Sequence, residues 1–394
     1  MNRLIRKITT VLLASSLLLS GCGEVSEDAV VTEEHVNEAD SFTPRPDDGR
    51  TVVGISMPDK LLERWNRDGD FLKEQFERSG FEVILDYSDN LIDVQIKSLQ
   101  NMIDSGADLL VVTAVDGAAL SGILENAHKN GIKIIAYDRL IMNTDYVDYY
   151  VSFDNYQVGV LQADYIIGKL NLGKEDIVRN IEFVTGDPVD NNSKYFYQGA
   201  MDTLKPYLDS GKLTVPSGQV GFYETATAQW STDIAQQRLQ ILLNSYYPSG
   251  TRLDAVLCAN DSTALGATRA LVSDYQGLNP VVVTGQDCDV PNIYNIFNGT
   301  QSMTVYKHLR QESVVTVSLG KDILEGNTPG ESLIERSNWA FECSYNTTDY
   351  NNGNKVVPSF LLRPIAITAD NIEQELFETG YYSKNSSGLI YATK

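Results

Sequence analysis

Short apolar runs alternate with helix-like stretches along this chain, and that alternation limits the fold more than any other feature. In the segment from Lys133 to Asn155, the run from Ile134 to Ala136 is typical of a strand buried on both faces of a sheet. Earlier strand-like and helix-like runs, several of the latter followed by glycine, lie at 51–57, 61–79, 81–85, 94–105, 108–112 and 120–129. This order predicts a parallel sheet with right-handed crossovers.

The same alternation starts again after Asn155. Strand-like runs at 180–185, 255–258 and 280–284 are separated by helix-like runs at 156–170, 192–209, 227–243 and 262–272. The region from Val290 to Lys394 is too short for a third unit, so we expect the chain to cross back and complete both domains. The predicted N-terminal domain is 51–153 plus 288–335, and the predicted C-terminal domain is 154–287 plus 336–394.

Composition supports a folded protein and excludes some partners. A chain of 394 residues with 42% hydrophobic residues can bury the cores of two domains. The formal charge of -22 argues against nucleic acid as a partner, because phosphate backbones are bound through clustered Lys and Arg. The same charge argues against binding to an anionic membrane surface.

The N-terminus has the layout of an export signal. Basic residues at positions 3, 6 and 7 precede an apolar run from Val11 to Leu19 that is too short to span a bilayer. The segment from Leu19 to Cys22 resembles a bacterial lipobox, which predicts a signal peptide at 1–21 and lipidation of Cys22. We therefore expect an extracytoplasmic protein held to the cell membrane by lipid. An ordinary signal peptide with an incidental Cys22 is the alternative. Residues 22–50 are polar and acidic and predict a flexible tether.

The other cysteines and the histidines do not form a regular pattern. Cys258, Cys288 and Cys343 are too widely spaced for a disulfide framework, although a bond between Cys258 and Cys288 stays open. Only three histidines are present, and the acidic residues do not follow a calcium-loop motif. We therefore predict no metal and no other cofactor.

Planar polar side chains follow several predicted strands. In open α/β sheets, ligands bind beyond the carboxyl ends of the strands, so these residues predict a binding cleft. Carboxylates, amides and guanidinium groups can pair with vicinal hydroxyls, and an indole can cover the apolar face of a sugar ring. The residues concerned are Arg64, Trp65, Asp116, Asp138, Arg139, Asp154, Asn191, Trp230, Asn260, Asp261 and Asp287.

Each of these residues also has an ordinary structural explanation. A single Asp or Asn after a strand is often a helix cap, and either tryptophan could belong to a core. Paired acids are also used in glycoside hydrolysis, but here they accompany Arg and amides, which favour the ionised form. Glycine-rich phosphate loops and the G-x-S-x-G motif are absent from the sequence, so neither a nucleotide site nor a serine hydrolase is expected.

Several of these motifs together resemble those of the type I periplasmic binding proteins for monosaccharides. The resemblance covers the body from Val53 to Tyr382 and is nearest to the ChvE-type multiple-sugar-binding and xylose-binding receptors. It rests on the segments GISMP at 54–58, RW at 64–65, IAYDRL at 135–140, FDNYQVG at 153–159, DNN at 190–192, GQD at 285–287 and VVPSFLL at 356–362.

The resemblance implies a fold, a function and roles for single residues. The fold would be two Rossmann-like parallel-sheet domains joined by three crossing segments, with the segment from Tyr149 to Asn155 as the first crossing. The protein would close over one sugar of the xylose, glucose, galactose or arabinose type and deliver it to an ABC permease, without catalysis. Residues 64, 138, 139, 154, 191, 260 and 287 would hold hydroxyl groups, Trp65 and Trp230 would stack on the ring, and Lys307 would also contact the sugar.

Two other functions remain possible at this stage. The protein could be a sensory receptor that presents a sugar to a chemoreceptor or a sensor kinase. It could also be a secreted glycoside-processing enzyme that uses Asp138, Asp154 or Asp287. We expect a monomer, because a single chain of two closing domains is sufficient for binding.

Overall fold

The computed structural model describes residues 49–174 and 177–393. Cys22 and all but the last two residues of the expected tether lie outside this part of the chain. The described residues belong to one compact unit. Among them, no helix is both long enough and apolar enough to cross a membrane.

A seven-stranded sheet with the order β11-β12-β5-β4-β3-β1-β2 forms the first lobe, where β11 is Cys343–Asn346 and β12 is Ser359–Leu362. All neighbouring strands are parallel except β11, which runs antiparallel to β12. Every residue of β1 is buried, as expected for a strand covered by helices on both faces. Its first elements are β1 (Val52–Met57), α1 (Glu63–Arg78), β2 (Glu82–Tyr87), α2 (Ile92–Asp104), β3 (Leu109–Val112), α3 (Ser121–Lys129), β4 (Lys133–Tyr137) and β5 (Tyr149–Phe153).

The chain then enters the second lobe, whose parallel sheet has the order β7-β6-β8-β9. Strand β10 lies beside this sheet, because Val305 in β10 forms a β-bridge with Gln286. The elements are α4 (Asn155–Leu170), β6 (Arg179–Val184), α5 (Asn191–Asp209), β7 (Leu213–Thr214), α6 (Phe222–Thr225), α7 (Thr232–Tyr246), β8 (Ala255–Cys258), α8 (Asp261–Asp274), β9 (Val282–Val283), α9 (Val290–Asn298) and β10 (Thr304–Tyr306).

The last part of the chain contributes elements to both lobes. Helix α10 packs on the first lobe, where Val315 and Leu319 join Phe76 in one core. The elements are α10 (Leu309–Leu324), α11 (Glu331–Ser337), β11 (Cys343–Asn346) and β12 (Ser359–Leu362) in the first lobe, then β13 (Ile365–Ile367), β14 (Tyr382–Lys384) and β15 (Ile390–Ala392) in the second. The chain therefore passes between lobes at Asp154, at 307–308 and at 363–364. The predicted α/β fold is confirmed.

Strand pairing corrects the predicted boundaries of the later segments. Residues 343–362 were assigned to the C-terminal domain, but β12 pairs with β5 and Phe360 packs against Val151 in the first-lobe core. Residues 288–306 were assigned to the N-terminal domain, but Cys288 and Ile293 pack in a second-lobe cluster with Tyr382. In both cases the segment belongs to the lobe in which its apolar side chains are buried, against a strand that is distant in sequence.

The disulfide that the sequence left open is not formed. Cys258, Cys288 and Cys343 are all free thiols in the described part of the chain, and the first two are fully buried. Burial raises the pKa of the Cys258 thiol above its usual value. These two cysteines therefore act as small core residues.

Candidate functional site

A narrow cleft with a cavity volume of about 20 Å³ lies between the lobes, at the carboxyl ends of the strands of both sheets. This is the position where open α/β sheets bind ligands. The first lobe contributes Leu62, Arg64, Trp65, Asp138 and Arg139, the second crossing contributes Lys307, and the second lobe contributes Asp190, Asn192, Phe196, Trp230, Asn260, Gln286 and Asp287.

Arg64, in the first turn of α1, lies at the centre of the charged part of the cleft. Its Nη2 donates to Asp138 Oδ2 at 2.9 Å and to Asp68 Oδ2 at 3.3 Å. Its Nη1 donates to Asp287 Oδ1 at 3.2 Å, which joins the first lobe to the second. Lys307 Nζ donates to Asp138 Oδ2 at 3.2 Å from the crossing segment. One guanidinium and one ammonium group therefore hold carboxylates from both lobes.

Asp138 follows β4 and is fixed through both its side chain and its backbone. Burial alone would raise the pKa of Asp138, but the charges of Arg64 and Lys307 outweigh it and lower the pKa to about 2. The Asp138 carbonyl oxygen accepts hydrogen bonds from Tyr150 Oη at 2.7 Å, Ser152 Oγ at 2.8 Å and Asn192 Nδ2 at 2.7 Å. The carboxylate is thus ionised and held in one orientation.

Three cleft residues adopt a left-handed backbone conformation that non-glycine residues rarely occupy. Their φ angles are 58° for Asp138, 54° for Trp230 and 99° for Asp287. Such conformations cost on the order of 1–3 kcal/mol each and persist only where the surroundings enforce them. The fold therefore stabilises these side-chain directions at an energetic cost, which is typical of ligand sites.

Arg139 makes a second ionic contact across the cleft. Its Nε lies 3.0 Å from Asp190 Oδ2 in the second lobe, and its Nη1 donates to the Ala114 carbonyl oxygen at 2.9 Å. Asp190 also caps α5, because its Oδ1 accepts from the Asn192 backbone N–H at 3.0 Å. Burial raises the pKa of Asp190 above its usual value, although Arg139 opposes this effect.

The two indole rings occupy different surroundings. Trp65 is 2% exposed, and the guanidinium carbons of Arg64 and Arg139 lie 4.3 Å and 5.2 Å from its ring centroid. Trp230 packs against Phe196 with a centroid distance of 6.3 Å. Gly186 lies directly behind Trp230, since a Cβ added there would approach the indole to 2.0 Å. Both rings line the cleft.

The second lobe presents amide groups from two loops. Asn260 Oδ1 caps α8 by accepting from the Thr263 backbone N–H at 3.0 Å. Gln286 is 2% exposed, and its Oε1 has no hydrogen-bond partner among the described residues. Gln162 supports both loops by donating to the carbonyl oxygens of Ala259 at 3.2 Å and Gly285 at 3.0 Å.

Eight of the twelve predicted ligand-binding residues line the cleft. They are Arg64, Trp65, Asp138, Arg139, Trp230, Asn260, Asp287 and Lys307. Their roles toward a ligand remain predictions.

Four predicted residues lie elsewhere. Asp116 accepts from the Ala118 backbone N–H at 2.8 Å in a turn after β3. Asp154 caps α4 at the first crossing by accepting from the Gln157 backbone N–H at 3.0 Å, and it faces an outer groove shared with Arg363.

The other two lie next to residues that do line the cleft. Asn191 is buried, and its neighbour Asn192 takes the cleft position. Asp261 is fully buried behind the cleft and accepts from Gln301 Nε2 at 2.8 Å, Thr304 Oγ1 at 2.9 Å and the Asp289 backbone N–H at 2.9 Å. It therefore holds the loop that carries Asp287.

Five cleft residues were not among the predicted ligand contacts, namely Leu62, Asp190, Asn192, Phe196 and Gln286. Asp190, Asn192 and Gln286 stand in the recognised polar segments, one position away from the residues chosen. The segment itself does not separate Asn192 from Asn191, because successive helical residues differ in direction by about 100° and the rotation of the helix depends on packing. Leu62 and Phe196 carry no comparable signal.

Comparison with known proteins matches this architecture. A family model described as a periplasmic binding protein domain matches residues 53–328. The multiple sugar-binding periplasmic receptor ChvE of Rhizobium radiobacter is 42% identical over 334 residues, which cover 84% of this chain and 90% of the receptor. The D-xylose-binding periplasmic protein of Escherichia coli is 36% identical over 335 residues, 84% of this chain and 91% of that protein.

Solved structures agree. A crystal structure of an ABC transporter solute binding protein from Clostridium phytofermentans with bound beta-D-glucose is 45% identical and superposes with a TM-score of 0.80. The match covers 86% of this chain and 100% of that one.

Proposed function

This chain belongs to the periplasmic binding protein domain family, and on that premise we propose that it binds one monosaccharide as the extracytoplasmic solute-binding protein of an ABC transporter. The proposed ligand is a sugar of the xylose, glucose, galactose or arabinose type. The proposal rests on one observation above all: both lobes bring planar hydrogen-bonding groups and an indole ring to the same cleft.

The chemistry of the cleft, rather than its volume of about 20 Å³, supports a sugar ring as the ligand. The carboxyl oxygens of Asp138 and Asp287 can accept from hydroxyl groups, Arg64 and Lys307 can donate to them, and Asn260 can do both. Trp65 and Trp230 supply apolar surface for the C–H groups of a ring.

Contacts between the lobes support coupling of binding to closure. Arg64 donates to Asp287 and Asn192 donates to the Asp138 carbonyl oxygen, and both hydrogen bonds join one lobe to the other. A ligand that contacts both walls favours the arrangement in which the lobes meet. The permease would then recognise this closed form.

We propose binding without catalysis. Hydrolysis of a glycoside requires one acid that is protonated and can donate to the leaving oxygen. The pKa of Asp138 is lowered to about 2, so this carboxyl is a poor proton donor at neutral pH. Incubation with aryl glycosides should therefore release no phenol, and release that depends on Asp138 would contradict the proposal.

A thermal melting assay tests the ligand class. A sugar that binds only the folded protein must raise the melting midpoint, so the purified protein is screened against pentoses and hexoses. We expect at least one monosaccharide to raise it and a disaccharide of the same units to have no effect. If no monosaccharide shifts the midpoint at millimolar concentration, the proposed function is wrong.

A matched pair of arginine variants tests the place of binding. Arg139→Ala removes a guanidinium group from the cleft, whereas Arg78→Ala removes an exposed one from the end of α1. We expect the first to abolish the sugar-dependent shift and the second to retain it, while both still unfold cooperatively. Equal sugar-dependent shifts of the melting midpoint in the two variants would mean that the sugar binds outside this cleft.

We also propose that lipid on Cys22 holds the protein at the membrane, with residues 22–50 as the tether. The lipobox-like sequence before Cys22 supports this proposal. In the producing cell, Cys22→Ser should block lipid labelling and release the protein from the membrane fraction. A variant that stays membrane-bound would exclude this anchor.

A further inference from the structure

Below the cleft, two cations are surrounded by four carboxyl groups. Arg64 Nη2 lies 2.9 Å from Asp138, 3.3 Å from Asp68 and 3.7 Å from Glu312, and Arg64 Nη1 lies 3.2 Å from Asp287. Lys307 is the second cation, at 3.2 Å from Asp138 and 3.8 Å from Asp287. If all six groups were ionised, their charges would sum to -2, while Arg139 and Arg67 also act on Asp138 and Asp68.

Glu312, on the first turns of α10, differs from the other three acids. Asp68, Asp138 and Asp287 each accept a hydrogen bond from Arg64, whereas both carboxyl oxygens of Glu312 lack a partner among the described residues. Glu312 is also 0% exposed. An ionised carboxylate in this position would be shielded from bulk solvent and would accept no hydrogen bond from the described residues, which costs several kcal/mol.

The groups that face Glu312 come from every neighbouring element. Two of them are cations, two are carboxyl groups and two are tyrosine hydroxyl groups: Arg64 and Asp68 from α1, Tyr137 and Asp138 from β4 and its end, Tyr150 from β5, and Lys307 from the second crossing. The two cations are already shared with Asp68, Asp138 and Asp287. The remaining charge of the cluster therefore disfavours ionised Glu312.

We propose that Glu312 carries a proton when the lobes meet, and that sugar binding takes up this proton from solvent. The inference deepens the proposed function and rests on it. Burial, followed by the charges of Asp138 and Asp68, raises the pKa of Glu312 well above its usual value, in agreement with the geometry.

Closure links the proton to the ligand. When the lobes meet, Asp287 reaches Arg64, so the guanidinium group is shared with one more carboxylate and stabilises ionised Glu312 less. Closure also removes water from the cleft. The charge of Lys307 opposes this rise in the pKa of Glu312. Lys307 lies in a crossing segment, however, where rotation of the lobes moves the chain least, so its contribution changes little on closure.

The pKa of Glu312 is therefore higher in the closed protein than in the open one. Between these two pKa values one proton is taken up per sugar. The affinity falls by up to about tenfold for each unit that the pH rises in that interval.

Isothermal titration calorimetry measures this proton directly. Sugar is titrated into the purified protein at several pH values, each in phosphate and in Tris, whose ionisation enthalpies differ. We expect the binding heat of the wild type to depend on the buffer, which reports proton uptake. In Glu312→Gln, an isostere of the protonated acid, the heat should not depend on the buffer and the affinity should be independent of pH.

A second buried glutamate provides the control. Glu182, on β6 in the second lobe, is also 0% exposed, and its carboxylate accepts from Ser217 and Tyr247. Glu182→Gln should leave proton uptake unchanged. Binding heat without buffer dependence in the wild type, or unchanged uptake in Glu312→Gln, would overturn the proposal. Absence of any sugar-dependent rise in the melting midpoint would instead refute the proposed function, on which this inference depends.

Discussion

The two walls of the cleft differ in the side chains that they carry and in how those side chains are held. The first-lobe wall carries the guanidinium groups of Arg64 and Arg139 beside Asp138 and Trp65, whereas the second-lobe residues that line the cleft include acids, amides and aromatic rings but no guanidinium group. Two ionic contacts between the lobes run from a first-lobe arginine to a second-lobe aspartate: Arg64 to Asp287 and Arg139 to Asp190.

The side chains of the second wall are held mainly by helix caps and close packing. Asn260 caps α8, and Gly186 allows the close packing of Trp230. We infer that changes in the first wall disturb folding and binding together, while changes in the second wall can separate them. Substitutions in each wall test this difference.

Replacement of Arg64 should have the largest effect. Arg64→Met keeps much of the side-chain volume but leaves Asp68, Asp138 and Glu312 buried with less compensating charge. Breaking a buried ion cluster from one side costs about 3–5 kcal/mol, so the free energy of unfolding should fall by that amount and sugar binding should be lost. Urea unfolding measures the loss of unfolding free energy. A loss below about 1 kcal/mol would mean that the first wall does not depend on its charges.

Asp138→Asn should remove stability at neutral pH. The folded pKa of Asp138 is about 2 and the reference value is 3.8, so the folded state binds fewer protons than the unfolded state between these values. The resulting stabilisation of about 2 kcal/mol is complete above pH 4 and is lost as the pH falls toward 2. The variant should lack this acid-dependent loss.

Unfolding curves at a series of acidic pH values test this prediction. Asp70→Asn changes an exposed acid on the same helix as Arg64 and should keep the wild-type profile. If Asp138→Asn retained the full acid-dependent loss, other carboxyl groups would be responsible for it.

These walls were only partly predictable from the sequence. The strand–helix alternation predicts parallel sheets, and their carboxyl ends bring Asp138 and Asn260 to one cleft although they lie far apart in the chain. Residues 343–362 were assigned to the wrong lobe, because pairing of β12 with β5 depends on long-range burial and leaves no local pattern.

The choice between adjacent polar residues was not predictable either. Asn260 faces the cleft, while Asp261, one residue further, faces the interior and supports the loop of Asp287. A helix turns by about 100° per residue, so neighbouring residues face different surroundings. The sequence identifies a polar helix start, but the rotation of that helix against the sheet depends on packing. Glu312 was missed because it follows no strand.

In the second wall, Gly186→Ala should weaken binding with a moderate loss of stability. The added methyl group would meet the Trp230 indole at 2.0 Å and Ser193 Oγ at 2.5 Å, so the ring must move. Overpacking of this kind costs about 1–3 kcal/mol, and we expect roughly tenfold weaker sugar binding. Gly168→Ala is the control, because it adds the same methyl group at an exposed position of α4, where no other atom lies within 4 Å. Equal affinities of the two variants would show that the position of Trp230 is unimportant.

Asn260 offers the smallest and sharpest separation of folding from binding. Its Oδ1 caps α8, while the rest of the amide lines the cleft. Asn260→Ser keeps a good cap and loses the amide, so unfolding should change little while sugar binding weakens. Asn260→Ala loses both, so it should cost about 1 kcal/mol more in unfolding free energy and bind as weakly as the serine variant. Calorimetric binding and urea unfolding of the pair measure the two effects. If Ser restored binding as well as stability, Asn260 would act on the sugar only through the helix that it caps, and the second wall would be as inseparable from the fold as the first.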